Sequence, residues 1–238
     1  MFNIPDRFKT DLDVKLKDFI PKDLNPNDKR RIREATRSVK MSYQIAGEEI
    51  PSVVNDEYRC QVIQFYEIEL ENIKDASFIA NTYQSLIKPL CVMRLYDSKD
   101  EEYSFADKRL SQTEENQIVV EDAYLSQKYP FGLPGEGIGK YLEYLSFDKI
   151  KNKTDKLAFY REWMYKLYIL ENKAAYSDVE VILKNNIWYS STRAVSIYRK
   201  YVELVKARED VSRAQINIEK IKANKAVKAA KNEINKEL

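Results

Sequence analysis

The chain contains no histidine, and its 238 residues include only five glycines, two cysteines and two tryptophans. The missing histidine removes the commonest general base near neutral pH and the commonest transition-metal ligand. A Ser-His-Asp triad, a Cys-His pair and a Cys/His zinc site are therefore excluded. Any catalysis would fall to carboxylates, lysines or tyrosines, with an oxygen-bound metal such as magnesium as the natural companion. No apolar run approaches the roughly 18 residues that span a bilayer. The opening MFNIPDRF lacks the charged-then-apolar pattern of a leader. Cys60 and Cys91 lie inside apolar stretches and read as buried free thiols. These features together describe a cytoplasmic protein.

Apolar residues make up 44% of the chain, enough for a real core, while 33% are charged, which suggests long solvated helices. The net charge of +2 is unevenly spread. Residues 1–43 hold eleven Lys/Arg against seven Asp/Glu, a net +4, and residues 44–122 hold seven against seventeen, a net −10. Residues 123–192 return to +2, and residues 193–238, with twelve against six, carry +6. An acidic middle between basic ends suggests two surfaces with different partners.

Asn25-Pro26-Asn27-Asp28 is a helix start: Asn25 caps, Pro26 suits the first turn and Asp28 the positive end of the helix dipole. The helix is expected to run through KRRIREATRSVKMSY, burying Ile32, Ala35, Val39 and Tyr43. The stretch YRCQVIQFYEIEL, residues 58–70, reads as a strand apolar on both faces at its start, hence central in a sheet. A helix over DASFIANTYQSLIKP ends at Pro89, LCVMRLY is the next strand, and Asp97–Glu102 turns into YSFADKRL as a hairpin. NQIVVED is a last short strand. The strand-helix-strand order implies a right-handed parallel crossover. Beyond residue 138 the β signal fades. Helices are expected at 138–150, 154–175 and 177–189, capped at Thr154, Ser177 and Ser191 where these precede a helix, and a long one from about Ser191 to the end. Tyr201, Leu204, Val211, Ala214, Ile218 and Ile221 give that last helix a coiled-coil-like seam. The fold class is α+β: a small mixed β-sheet with packed helices, then a helical C-terminal half ending in a long basic coiled-coil-like helix. The boundaries read as a mixed α/β domain over 1–130, a Gly-rich hinge over 131–140, a helical region over 141–190 and the long helix over 191–238.

The stretch YPFGLPGEGIGKYLEYL holds four of the five glycines and invites a phosphate-loop reading. The P-loop pattern fails twice. Counting back from Gly139-Lys140, its first position is Pro134, and Tyr141 stands where the metal-binding hydroxyl belongs. The dinucleotide fingerprint fails in spacing. A hinge, or a loop closing over a partner or backbone, remains. Glu67-x-Glu69 near a strand end resembles the carboxylate pair of a restriction-type nuclease core, with Glu69 where its lysine should stand and Asp56 and Lys74 as displaced contributors. The plainer reading is two solvated glutamates. Asp107-Lys108 reads as a surface ion pair. The residues suited to phosphate or an acidic partner are Lys29, Arg30, Arg31, Arg33, Arg37 and Lys40 near the start, with Lys220, Lys222, Lys225 and Lys228 in the terminal helix. The 17 tyrosines are spread through both halves and read mostly as core.

With these segments placed, the chain resembles a bacterial family known as a domain of unknown function, number 4391. The resemblance rests on the order of IPKDLNPNDKRRIREATRSVKMSYQI, CQVIQFYEIEL, IANTYQSLIKPLCVMRLYD, YSFADKRLSQ, EDAYLSQKYP and the closing Lys/Glu-rich helix. It implies a context beside helicases and DNA methyltransferases in restriction-like and phage-defence (antiviral) systems, and it carries over no catalytic residue. The expectation is a non-enzymatic accessory subunit with no cofactor and no metal. It would dock such a helicase or methyltransferase, with nucleic acid and self-association through the C-terminal helix as further options. The alternative is a magnesium-dependent nuclease using Glu67 and Glu69.

Overall fold

The computed structural model describes residues 1–22, 24–114, 117–132 and 137–238. In chain order its elements begin with β1 (Lys9–Asp13), α1 (Leu16–Phe19), α2 (Pro26–Ala35) and β2 (Thr36–Ile45). The short pair β3 (Val53–Val54) and β4 (Arg59–Cys60) follows, then β5 (Ile63–Leu70), α3 (Ala76–Leu86), β6 (Leu90–Tyr96), β7 (Asp100–Leu110), β8 (Ile118–Leu125) and β9 (Tyr129–Pro130). Helices complete the chain: α4 (Leu142–Leu145), α5 (Lys156–Glu171), α6 (Val179–Lys184), α7 (Ser191–Arg213) and α8 (Asn217–Glu237). Two units emerge, Met1–Met164 and Tyr165–Leu238, and the division falls inside α5.

The first unit is built on a mixed sheet in the order β1-β2-β5-β6-β7-β8, with β9 paired to the edge of β7. The expected strand-helix-strand pass is present: β5 and β6 run parallel, joined through α3, and every other pairing is antiparallel. Strand β5 is central: Tyr66, Ile68 and Leu70 are buried on one face, while the other is buried at Ile63 and Phe65 and carries half-buried Glu67 and Glu69 beyond them. Tyr66, Ile68 and Leu70 look toward Phe19, Ile32, Ile79 and Tyr83, while Phe65 meets Trp163 edge to face with ring centroids 5.5 Å apart. Phe2, Phe105, Phe159 and Tyr160 extend this second aromatic core. Cys60 and Cys91 are free and buried, as expected.

Three local expectations are corrected. The N-terminal helix stops at Ala35 and the chain becomes β2, so Arg37 and Lys40 sit on a strand. Val39 and Met41, two residues apart, are both buried there; the spacings of four from Ala35 to Val39 and from Val39 to Tyr43 fit either element, so the apolar spacing alone did not separate helix from strand. The segment 138–150 forms 3-10 turns over Gly137–Tyr141 and Phe147–Lys149 around the four-residue α4. The caps are shifted by one: Asp155 accepts the Ala158 N–H at 2.8 Å, and Ser190 accepts that of Arg193 at 3.4 Å. Asn25 does cap α2, accepting the Asp28 N–H at 2.9 Å.

The second unit is helical. Tyr165 stacks on Tyr198 at 3.9 Å between centroids, and Trp188 donates its indole N–H to the Ile182 carbonyl at 2.8 Å. The long terminal helix is two helices, not one. Ala214 and Ile216 are extended, and α8 returns along α7, bringing Glu237 to Ser196 at 2.8 Å and beside Arg193 and Lys200. No proline or glycine marks this break. Glu219, the third residue of α8, accepts the Gln215 N–H at 3.2 Å, one residue before the cap position, and so ties the chain at a new helix start. Among the described residues no helix is long and apolar enough to cross a membrane.

Candidate interaction surfaces

The basic residues near the start do not form one array. Arg31 bonds Asp75 at 2.8 Å and lies over the Phe78 ring at 4.0 Å, and Arg30 stands 4.0 Å from Glu34. Arg37 bonds Glu71 at 2.7 Å and approaches Glu69 at 3.7 Å, while Lys40 pairs with Asp11 at 2.9 Å. Lys29 reaches the Lys22 carbonyl, and Arg33 is exposed with no partner among the described residues. Four of the six are thus faced by carboxylates.

The Lys40–Asp11 pair belongs to a charged row that crosses one sheet face. Lys40 lies opposite Glu67, and Glu67 opposite Arg94, in direct register. Arg94 then bonds Glu101 through Nε at 2.7 Å, and stands 4.0 Å from Glu67. Its guanidinium also lies over Tyr96 and Phe131, at 5.3 and 5.2 Å, two rings that stack on each other at 4.7 Å. Charges therefore alternate along Asp11, Lys40, Glu67, Arg94 and Glu101. Glu67 and Glu69 share this face, each met by an arginine, and Ser38 donates to Glu69 at 3.1 Å. Asp56 sits in the turn between β3 and β4 and Lys74 in a 3-10 turn after β5. Among the described residues no group of three or more Asp, Glu or Cys is placed to hold a metal ion.

The described ends of the glycine-rich stretch, up to Gly132 and from Gly137, pack against this sheet. Phe131 donates its N–H to the Lys99 carbonyl at 2.7 Å, and Ile138 and Tyr141 are buried. Gly137 has φ +63°, and a Cβ there would stand 3.2 Å from the Tyr129 Cβ and 3.3 Å from Glu101 Oε1. Its glycine is required by conformation and by close packing on β7. Lys140 lies over the rings of Tyr129 and Tyr141, at 5.3 and 4.9 Å. Pro134 and Gly135, on which the phosphate-loop comparison turns, fall outside the described residues with 133–136.

Asp107-Lys108 is not a surface pair. Both are buried and, one residue apart on a strand, point to opposite faces. Arg161 grips both oxygens of Asp107, at 2.8 and 2.9 Å. The ammonium of Lys108 donates to the carbonyls of Ile87 at 2.8 Å and Pro89 at 3.2 Å, with Cys91 Sγ at 3.5 Å, and burial holds its pKa below the ordinary lysine value. No sequence pattern signalled this. Only the apolar surroundings of Asp107-Lys108, in YSFADKRL, hinted at burial.

In the second unit, Lys220, Lys222, Lys225 and Lys228 are all exposed. Ile218, Ile221, Lys225 and Lys228 follow at spacings of 3, 4 and 3, so they share one outer helix face. Ile218 is 77% exposed and Ile221 58%, with Ile216 at 55% in the turn before them. The expected seam is therefore corrected in its second half. Tyr201 and Leu204 are buried, but Ile218 and Ile221 face outward, because Ala223 and Ile234 form the buried side of α8.

The chain belongs to the family described as Domain of unknown function (DUF4391), whose model matches residues 2–234. No curated protein and no solved structure matches it.

Proposed function

We propose that this member of the DUF4391 family is a non-catalytic accessory subunit of a bacterial nucleic-acid-processing system of the restriction or phage-defence kind. Its α8 docks a helicase- or methyltransferase-type protein. The observation that carries this reading is the outer face of α8, where Ile218 and Ile221 stand in water directly in line with Lys225 and Lys228. Large aliphatic side chains exposed together on one helix face mark an interaction surface rather than a solvated one. The lysines continuing the face select an acidic protein surface or a phosphate backbone as what lies beyond the apolar contact.

The nuclease alternative has no comparable support, since Glu67 and Glu69 are each held beside an arginine. The test is incubation of the full chain with labelled DNA and RNA in magnesium or manganese. The reading predicts no cleavage. Cleavage that disappears in Glu67→Ala would refute it. If α8 touches nucleic acid, replacing Lys222, Lys225 and Lys228 by alanine weakens binding and flattens its salt dependence by about 0.9 in log–log slope per lost contact; an unchanged slope removes the nucleic-acid arm.

A further inference from the structure

Strands β6 and β7 are paired from Met93↔Ser104 to Tyr96↔Glu101, and before Met93 the ladder opens. Continued, the register would set Cys91 against Ala106 and Pro89 against Lys108. Side chains fill the gap instead. The Tyr160 hydroxyl bridges Ala106 N–H and the Cys91 carbonyl, and Lys108 reaches the Ile87 and Pro89 carbonyls. Outside this wedge lies a cleft of ≈ 230 Å³ between residues 59–62, residues 88–90 and the facing ends of β7 and β8.

Its walls are fixed. Asn55 Oδ1 accepts the N–H groups of Glu57 and Tyr58, at 2.9 and 2.7 Å, and Leu110 donates its N–H to the Glu57 carbonyl at 2.8 Å. The turn carrying Arg59 is thereby tied to the end of β7. Pro89 stiffens the opposite wall, where Lys108 clamps the carbonyls before and at it.

The charge of this cleft is one-sided. Arg59, Lys88, Lys108 and Arg109 line it, and among the described residues no carboxylate does. Arg109 is answered by Glu121 at 2.9 Å, but exposed Arg59 and Lys88 have no side-chain partner among the described residues. Buried Lys108 has only neutral acceptors, and a buried charge of one sign favours an opposite charge nearby. Apolar walls with a cationic rim suit a compact ligand that has an apolar body and an anionic end.

We propose that this cleft binds a small organic phosphate with a flat apolar body, the chemistry of a nucleoside monophosphate. The body lies against Val62, Pro89, Leu90, Leu110 and Ile118, and the phosphate meets Arg59 and Lys88. The site lies within the first unit and is independent of α8. The test is calorimetric titration of the full chain with adenosine monophosphate, adenosine and inorganic phosphate. A variant carrying Arg59→Ala and Lys88→Ala is run beside it, with Arg33→Ala as an exposed-cation control. The expected result is saturable binding of the monophosphate, at least about tenfold tighter than either adenosine or phosphate alone. That binding falls about tenfold or more in the double variant, holds in Arg33→Ala, and the thermal unfolding midpoint stays unchanged. Absence of monophosphate binding, equal binding by the double variant, or inorganic phosphate binding as tightly as the nucleotide would each overturn the proposal.

Discussion

The Ala106 N–H ends on the Tyr160 hydroxyl, at 2.7 Å, where the neighbouring strand would otherwise have supplied its acceptor. The same hydroxyl donates to the Cys91 carbonyl at 2.9 Å, and full burial drives its pKa well above the usual phenol value, so it stays protonated and can do both. The Cys91 carbonyl also receives Gln84 Nε2 at 3.2 Å, but the hydroxyl is the acceptor for Ala106. Tyr160→Phe therefore strands one buried donor and destabilises the protein by about 1–3 kcal/mol. Urea unfolding monitored by tryptophan fluorescence measures this. A loss under about 0.5 kcal/mol would mean that the strands close the gap by themselves.

Gly137 and Gly139 separate conformational need from mere flexibility. Gly137→Ala places a side chain at φ +63° and against Tyr129 and Glu101, and should cost about 1–3 kcal/mol. Gly139→Ala meets nothing within 4 Å and should be neutral or stabilising by about 0.4–1 kcal/mol, through reduced freedom of the unfolded chain. Equal effects in thermal melts would contradict the assignment of Gly137 as the position pressed on β7.

Asp97 supplies a pH dependence. Burial pushes its carboxyl up, but the N–H groups of Asp100, Lys99 and Ile73 outweigh that and hold its pKa below the ordinary carboxylate value. Because the folded pKa is depressed, its contribution is complete above the unfolded value, near 3.8, and is lost as pH falls through the folded one. Asp97→Asn should destabilise the protein at pH 7. It should also show a shallower loss of stability than wild type as pH falls below about 4. Parallel stability curves for the two proteins would show that the N–H groups do not favour the charged form.

The sheet was legible where apolar pattern and turn residues agreed. Of the strand expected over 58–70, Ile63–Leu70 is central in the sheet while Arg59–Cys60 pairs apart with β3; α3 ends shortly before Pro89, and Asp97–Glu102 holds the hairpin turn, because burial and local conformation point the same way there. The pattern misled at Thr36, because the spacings of four from Ala35 to Val39 and from Val39 to Tyr43 fit a helix and a strand alike, and at Ala214, where α8 folds back with no helix breaker in the chain. The charged residues were least legible. Arg37, Lys40 and Arg31 read as a free basic surface, but Glu71, Asp11 and Asp75 come from distant segments to meet them. The buried wedge of Tyr160 and Lys108 depends on elements more than 50 residues apart, such as Ala106 and Tyr160. By contrast, Lys225 and Lys228 were identified from composition and are exposed. What composition missed is that Ile218 and Ile221 stand beside them in solvent.

The most direct measurement is affinity purification of the full chain from its native cells. Wild type is compared with a variant carrying Ile218→Glu and Ile221→Glu, and bound proteins are identified by mass spectrometry. Both isoleucines are exposed, so the variant should fold and melt as wild type does. The account predicts that wild type retains a helicase- or methyltransferase-type protein and that the variant loses it. Recovery of the same partner by both, or no nucleic-acid-processing protein with wild type, would contradict the account.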